Sequence, residues 1–237
     1  MRRLAWAWLV EVANGPRVFG WRQPFRQWAY SDGLEMSGSA RRGVVLVHGF
    51  FCNRGVWNGW RPRLRKAEIA HVAVDLEPAF APIGTHAATI DDAVRRVTQA
   101  SHGHTPVVVA HSMGGLAVRA WLAGERGRLE RIHRIVTIGT PHRGTWLARF
   151  ARAANGREMQ VGSAFLGELT RRETPETCAR FTCFWSDCDN IVFPSANATL
   201  DGADNRAITG WAHVHLVEHP AIFAAAMDAI EAPAQTS

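Results

Sequence analysis

Val107-Val108-Val109-Ala110-His111-Ser112-Met113-Gly114-Gly115-Leu116 is the stretch whose reading decides the fold. Its first four residues form a continuous apolar run, as a strand buried on both faces requires. Ala-His-Ser-Met-Gly then breaks the run, and apolar residues recur at Leu116, Val118, Trp121 and Leu122 with helical spacing. The pattern is strand, abrupt turn and helix, with Ser112 at the apex. So sharp a turn strains its apical residue, and the small neighbours Ala110 and Gly114 keep side chains clear of it. A serine so placed stands above the sheet, with amides of the next helix aimed at it. That makes Ser112 a candidate nucleophile rather than an ordinary helix cap.

Other runs repeat the strand signal on either side. Val44-Val45-Leu46-Val47 leads into His48-Gly49-Phe50-Phe51-Cys52-Asn53. Ile69 to Val74 reads as a strand ending at Asp75, and Ile132 to Ile138 as one ending in Gly139-Thr140-Pro141-His142-Arg143-Gly144. Phe181 to Trp185 leaves through Asp187-Cys188-Asp189-Asn190 into Ile191-Val192-Phe193-Pro194. Between them the spacing predicts a helix over 57–66, interrupted at Pro62. A second is capped by Thr89, with Asp91 and Asp92 in its first turn, and a closing helix runs from about Pro220 to Ile230. Strand alternating with helix implies an α/β fold with a doubly wound, mostly parallel sheet, its ligands beyond the carboxyl ends of the strands.

Residues 145–178 break that rhythm. Trp146, Leu147, Phe150 and Ala151 predict one amphipathic helix, and Phe165, Leu166 and Leu169 another, with no strand between. Such an all-helical insertion, placed before the strand that leads to the acidic turn, reads as a small cap over the site. Its residues Trp146, Leu147, Phe150, Phe165 and Leu166 either line a substrate pocket or pack the helices. Residues 195–210 read as a polar loop.

With 237 residues and 47% hydrophobic content, the chain suits one domain from about residue 43 to 237, preceded by an extension over 1–42. The extension carries Trp6, Trp8, Trp21 and Trp28 and is broken at Gly15-Pro16 and Pro24. Met1-Arg2-Arg3 followed by Leu4 to Val10 resembles the start of a signal peptide. The apolar run stops at Glu11 without a small-x-small cleavage site, and is too short to span a bilayer. An amphipathic helix fits better, packed on the domain as a strap or lying at a lipid interface.

The net charge of +6 comes almost wholly from arginines, scattered in pairs such as Arg41-Arg42, Arg95-Arg96 and Arg171-Arg172. A nucleic-acid binder would more often cluster them with aromatics or on one helix face, so the scatter argues against nucleic acid and leaves weak attraction to anionic lipid open. Cys52, Cys178, Cys183 and Cys188 form no CxxC and no zinc spacing. Free thiols in a cytoplasmic or peripherally membrane-associated protein are expected, with a bridge among the last three as the alternative for an exported one. No EF-hand-like spacing occurs around Asp201 and Asp204, so neither metal nor other cofactor is expected.

A serine hydroxyl is a poor nucleophile until a base takes its proton and a carboxylate holds that base in the right tautomer. Downstream of Ser112 come an acidic turn with Asp187 and Asp189 and then a histidine cluster with His213, His215 and His219, in the order nucleophile, acid, base. The residues by themselves leave both choices open. The chain resembles α/β-hydrolases of the bacterial lipase and esterase type, and the resemblance runs from about Val44 to Leu216. It is carried by Val-His-Gly-Phe, Ala-His-Ser-Met-Gly-Gly, Gly-Thr-Pro-His-Arg-Gly, Asp-Asn-Ile-Val-Phe-Pro and His-Val-His-Leu, in that order. Ala110 departs from the glycine usual in the wider family, a substitution some of its lipases share.

The resemblance implies Asp189 as the acid, since it precedes Val192-Phe193-Pro194, and His213 as the base. It makes His48 and His142 structural. The amide of Met113, directly after the nucleophile, is expected to form one half of an oxyanion hole. Resemblance assigns the other half to the amide of Phe50, and the Gly-x form of that loop favours acyl chains of medium length or longer. The function implied is a serine hydrolase cleaving carboxylic esters through an acyl-enzyme, as an esterase or a lipase. Thioesterases, amidases, lactonases and acyltransferases use the same groups. A serine at the turn argues against dehalogenases and epoxide hydrolases of this fold, whose nucleophile is aspartate. A non-catalytic binding protein of the same shape would usually have lost part of the triad.

Overall fold

Among the described residues six strands pair only in parallel, and their register decides where functional groups can collect. They are β1 (Val44–Val47), β2 (His71–Ala73), β3 (Val107–His111), β4 (Arg134–Ile138), β5 (Phe181–Ser186) and β6 (Asp204–Ile208), in the order β2-β1-β3-β4-β5-β6. Val47 pairs with Ala110, Ala110 with Thr137, and Thr137 with Cys183. The chain therefore leaves β1, β3, β4 and β5 along one edge of the sheet, within a few residues of a common row. The computed structural model describes residues 2–35 and 41–232. Met1 and residues 36–40 of the expected extension lie outside them.

The helices are α1 (Arg2–Gly15), α2 (Gln23–Arg26), α3 (Arg61–Lys66), α4 (Ala87–Ala100), α5 (Met113–Gly124), α6 (Ala154–Glu158), α7 (Ala164–Arg172), α8 (Pro175–Ala179) and α9 (Pro220–Glu231). Alternate residues of each central strand face opposite layers. Val45, Val47, Val108 and Ala110 pack with α4 and α5, whereas Val44, Leu46, Val107 and Val109 pack with Trp60, α3 and α9. All eight are fully buried. Each valine or leucine buried this way stabilises the fold by roughly 1.5–3 kcal/mol before conformational entropy is subtracted. The mostly parallel, doubly wound sheet follows from that two-sided burial.

Between β4 and β5 lie a 3-10 turn (Trp146–Phe150), α6, α7 and α8. Leu166 and Leu169 of α7 join the core layer that holds α5. The end of α7 is tied down by an ion pair from Arg119 to Glu173, at 2.5 Å, and Arg119 also donates to the carbonyl of His142 at 2.8 Å.

The N-terminal helices lie on the domain chiefly through polar contacts. Gln23 accepts from the amide of Asn53 at 2.7 Å, Asn58 donates to the carbonyl of Arg26 at 2.8 Å, and Arg22 pairs with Glu218 at 2.5 Å. Among the described side chains of α1, only Ala7 is buried.

Several local expectations change. The polar loop over 195–210 contains β6, an exposed edge strand whose pairing with β5 rests on backbone hydrogen bonds and shows no apolar alternation. Thr89 does not cap its helix: α4 begins at Ala87, after a 3-10 turn, with His86 at the cap position. Asp91 then lies beyond the first turn and accepts from Trp121 at 2.9 Å and Arg131 at 2.7 Å. Pro62 opens α3 instead of interrupting a longer helix, because a proline costs nothing where the amide has no intrahelical partner. The strand expected over 69–74 shortens to His71–Ala73, and the first cap helix is only a 3-10 turn. All four cysteines are free thiols.

Candidate active site

Ser112 stands between β3 and α5 with φ +54° and ψ −129°, a conformation an L residue holds only when its surroundings impose it. Those surroundings are close. A Cβ on Gly49 would sit 2.7 Å from the Cβ of Ser112, and one on Gly114 would sit 2.5 Å from the carbonyl oxygen of His48. The loop after β1 and the start of α5 can therefore touch only because both positions are glycine. Their contact brings residues 49–50 against the serine.

Strand β4 ends one position along the same edge. Gly139 has φ +56°, and a Cβ there would lie 3.1 Å from the ring of His213 and 3.2 Å from Oδ2 of Asp189. Its bare backbone floors the space in which those two side chains meet. The turn after β5 supplies Asp189, and the loop before α9 supplies His213.

Nε2 of His213 lies 2.9 Å from Oγ of Ser112, while its Nδ1 lies 2.9 Å from Oδ2 of Asp189. The carboxylate accepts, so Nδ1 carries the proton and Nε2 is left as an acceptor for the serine hydroxyl. Such an arrangement can take a proton from the serine without rearranging. Burial alone would push the Asp189 carboxyl up. The charge and hydrogen bond of His213, together with the amides of Val192 and Ile191 donating to Oδ1 at 2.8 Å each, outweigh burial and hold it below the ordinary range. For His213, burial works against protonation, but the charge and hydrogen bond of Asp189, with help from Glu11, raise its pKa above 6.5.

Further groups fix the backbone around His213. Its amide donates to Oδ1 of Asn190 at 3.0 Å, and His111 Nε2 donates to its carbonyl at 3.2 Å. Burial, followed by the charge of His213, lowers the pKa of His111 to about 3, so it stays neutral. The carboxylate of Glu11, reaching from α1, accepts from the amides of Val214 at 3.1 Å and His215 at 3.2 Å. His111, Asn190 and Glu11 were not singled out by the sequence.

The competing acids and bases have other partners. Asp187 accepts from the amide of Gly210 at 2.8 Å, His215 stacks on Trp211 with centroids 4.2 Å apart, and His219 caps α9 by accepting from Ala221. Nδ1 of His48 donates to the carbonyl of Gly49 at 2.9 Å, and its Nε2 accepts from Leu76 at 3.0 Å. Both its nitrogens are thus spent on backbone groups, one after β1 and one after β2. His142 is buried, with Thr137 at 3.0 Å from its Nε2.

Ser112 and His213 open into a cavity of about 620 Å³, a size typical of small-molecule sites. Its wall is mainly apolar and includes Phe50, Leu147, Phe150 and Met159. Of the five cap residues expected to line a pocket, Leu147 and Phe150 do so. Trp146, Phe165 and Leu166 lie elsewhere: Leu166 is in the core layer, Phe165 packs against that layer, and Trp146 stacks edge-on with Phe150. An amphipathic stripe marks a buried face without saying whether it faces a cavity or the core. The sequence also missed Phe19 and Phe80 at the cavity. Among the described residues, no group of three or more His, Cys, Asp or Glu side chains is arranged to hold a metal ion.

Residues 44–226 match the sequence model of the alpha/beta hydrolase family. The fold is similar to that of the mature lipase BlEst2 of Bacillus licheniformis, with a TM-score of 0.69 and 18% identity over 81% of this chain and 92% of that one. It is also similar to Aspergillus fumigatus lipase B, with a TM-score of 0.70 and 19% identity over 83% of this chain and 54% of that one. A monoacylglycerol lipase from Paleococcus ferrophilus gives a TM-score of 0.55 at 16% identity, over 80% of this chain and 96% of that one. At such identities the likeness is one of fold. No curated protein sequence matches the chain.

Proposed function

The chain belongs to the alpha/beta hydrolase family, and within it we propose that this protein is a serine hydrolase cleaving carboxylic esters through an acyl-enzyme. One observation carries the reading: the unbroken hydrogen-bonded series Ser112–His213–Asp189, opening into an apolar cavity. His213 takes the hydroxyl proton as Oγ of Ser112 attacks the ester carbonyl, and Asp189 stabilises the imidazolium that forms. The amides of Met113 and Phe50 receive the developing oxyanion, each worth about 10²–10³ in rate. Collapse expels the alcohol, which takes the proton from His213. Water then repeats the sequence on the acyl-enzyme and releases the acid.

The cavity supports an acyl chain as the group it holds, since its wall offers phenylalanine, leucine and methionine and few polar partners. Leu147 and Phe150 are the cap residues assigned to that wall. A thioesterase, amidase or acyltransferase would use the same serine, and matched ester, thioester and amide substrates separate them. The decisive experiment pairs Ser112→Ala with p-nitrophenyl esters from acetate to palmitate. Hydrolysis is expected to vanish in the variant while its circular dichroism and melting temperature stay those of the wild type. Wild-type activity that survives this substitution would refute the mechanism.

A further inference from the structure

Helix α1 presents its faces in the reverse of the usual order. Towards the domain it turns Ala7, packed with Cys188 and Ala212, and Glu11, which binds the amides of Val214 and His215. Towards solvent it turns Trp6, Leu9 and Val12, exposed to 68%, 63% and 73%. A strap covering the core would bury the large side chains and expose the acid. The same pattern continues beyond α1, where Phe19, Trp21, Phe25 and Trp28 are all exposed. Large apolar side chains in such number along one segment mark a surface built for contact.

Charge and position define the partner. Residues 1–31 contain five arginines, and Glu11 as their sole acid. Glu11 is engaged with the backbone, and Arg22 is paired with Glu218, whereas Arg3, Arg17 and Arg26 are exposed. Tryptophan and arginine interleaved on one helical segment suit the headgroup level of an anionic bilayer, where the ring needs a half-wet environment and the guanidinium needs phosphate. The segment also adjoins the cavity. Phe19 lines it, and Phe51, Phe80 and Phe150 of its lining are themselves exposed. Among the described residues no helix is long and apolar enough to cross a membrane.

We propose that the N-terminal segment, together with the phenylalanine rim of the cavity, is a docking face for an anionic lipid bilayer, and that docking sets the mouth of the cavity at the lipid surface. Lipid esters then reach Ser112 laterally from the leaflet. That last statement rests on the hydrolase reading; the docking itself does not.

Sedimentation with vesicles of phosphatidylcholine, alone and mixed with phosphatidylglycerol, separates the two. Wild type and Ser112→Ala are expected to bind the mixed vesicles equally and the neutral ones weakly. Replacing Trp6, Leu9 and Val12 together by serine should reduce binding by at least roughly 100-fold, given the apolar area withdrawn. Arg17→Gln and Arg26→Gln should each reduce it roughly fivefold, and added salt should do likewise. Turnover of a water-soluble short ester should be unchanged in the triple variant, because none of its three residues touches the cavity. The proposal is overturned if wild type and triple variant bind vesicles alike. It is also overturned if neither binds and the triple variant turns a wild-type dimer into a monomer, which would make a second copy the occupant. Vesicle binding as described with no ester turnover would leave docking standing and refute the hydrolase reading instead.

Discussion

Asp189→Asn is the substitution that discriminates most sharply, because its effect follows from atoms already placed. Oδ1 of Asp189 accepts from the amides of Ile191 and Val192 at 2.8 Å each, and Oδ2 faces Nδ1 of His213 at 2.9 Å. An asparagine in this site must keep its oxygen at the Oδ1 position, since an NH2 there would confront two N–H donors. Its NH2 is therefore delivered to His213, whose Nδ1 must become the acceptor. The ring proton moves to Nε2, 2.9 Å from Oγ of Ser112, where it blocks the lone pair that should receive the hydroxyl proton. The wrong tautomer costs about 10⁴ in kcat, equivalent to ~5.4 kcal/mol of transition-state stabilisation. KM should stay within about threefold of wild type, since Asp189 does not line the cavity and substrate binding keeps its contacts. The assay is p-nitrophenyl butyrate hydrolysis with kcat and KM resolved, and Asp187→Asn serves as the control. Asp187 holds the amide of Gly210 and should lose less than about tenfold in kcat, because a neutral oxygen can still accept that bond. The reasoning fails if Asp189→Asn stays within tenfold of wild type, or if the control is equally damaged.

Two further predictions concern the same imidazole. In the proposed mechanism His213 must be neutral to act, and Asp189 raises its pKa above 6.5, so kcat/KM should fall as pH drops through a midpoint above 6.5. A midpoint well below that value in a pH–rate profile on a soluble ester would contradict the assignment. Glu11→Gln keeps an oxygen for the amides of Val214 and His215, so it should lower kcat only severalfold while moving that midpoint down. Glu11→Ala leaves both amides without their acceptor, at about 1–3 kcal/mol in stability, and should lower both the melting temperature and kcat with KM unchanged. Equal effects of Gln and Ala would argue that the charge alone matters.

What the sequence makes legible here is what has a local period or a sharp break. Val44 to Val47 and Val107 to Ala110 announce buried parallel strands because every residue is apolar, whichever layer it faces. Ser112 stands out because a strand cannot pass into a helix within two residues without special geometry. β6 has neither kind of signal: Asp204, Asn205 and Arg206 are exposed, and its pairing with β5 runs along the backbone. The contacts that hold His213 are equally silent, since His111 lies 102 residues away and Glu11 more than 200, and no periodicity links them. Helix α1 shows the limit most plainly. Its amphipathic character can be read from Leu4 to Val12, but amphipathicity gives two faces without saying which meets protein. Trp6, Leu9 and Val12 turn outward because Ala7 is the residue small enough to pack on Cys188 and Ala212, and because Glu11 finds two backbone amides on the same side. Its outward face is left exposed, and Phe19, a few residues further on, reaches the cavity. The arginines around it favour anionic lipid over another protein surface as the occupant we propose.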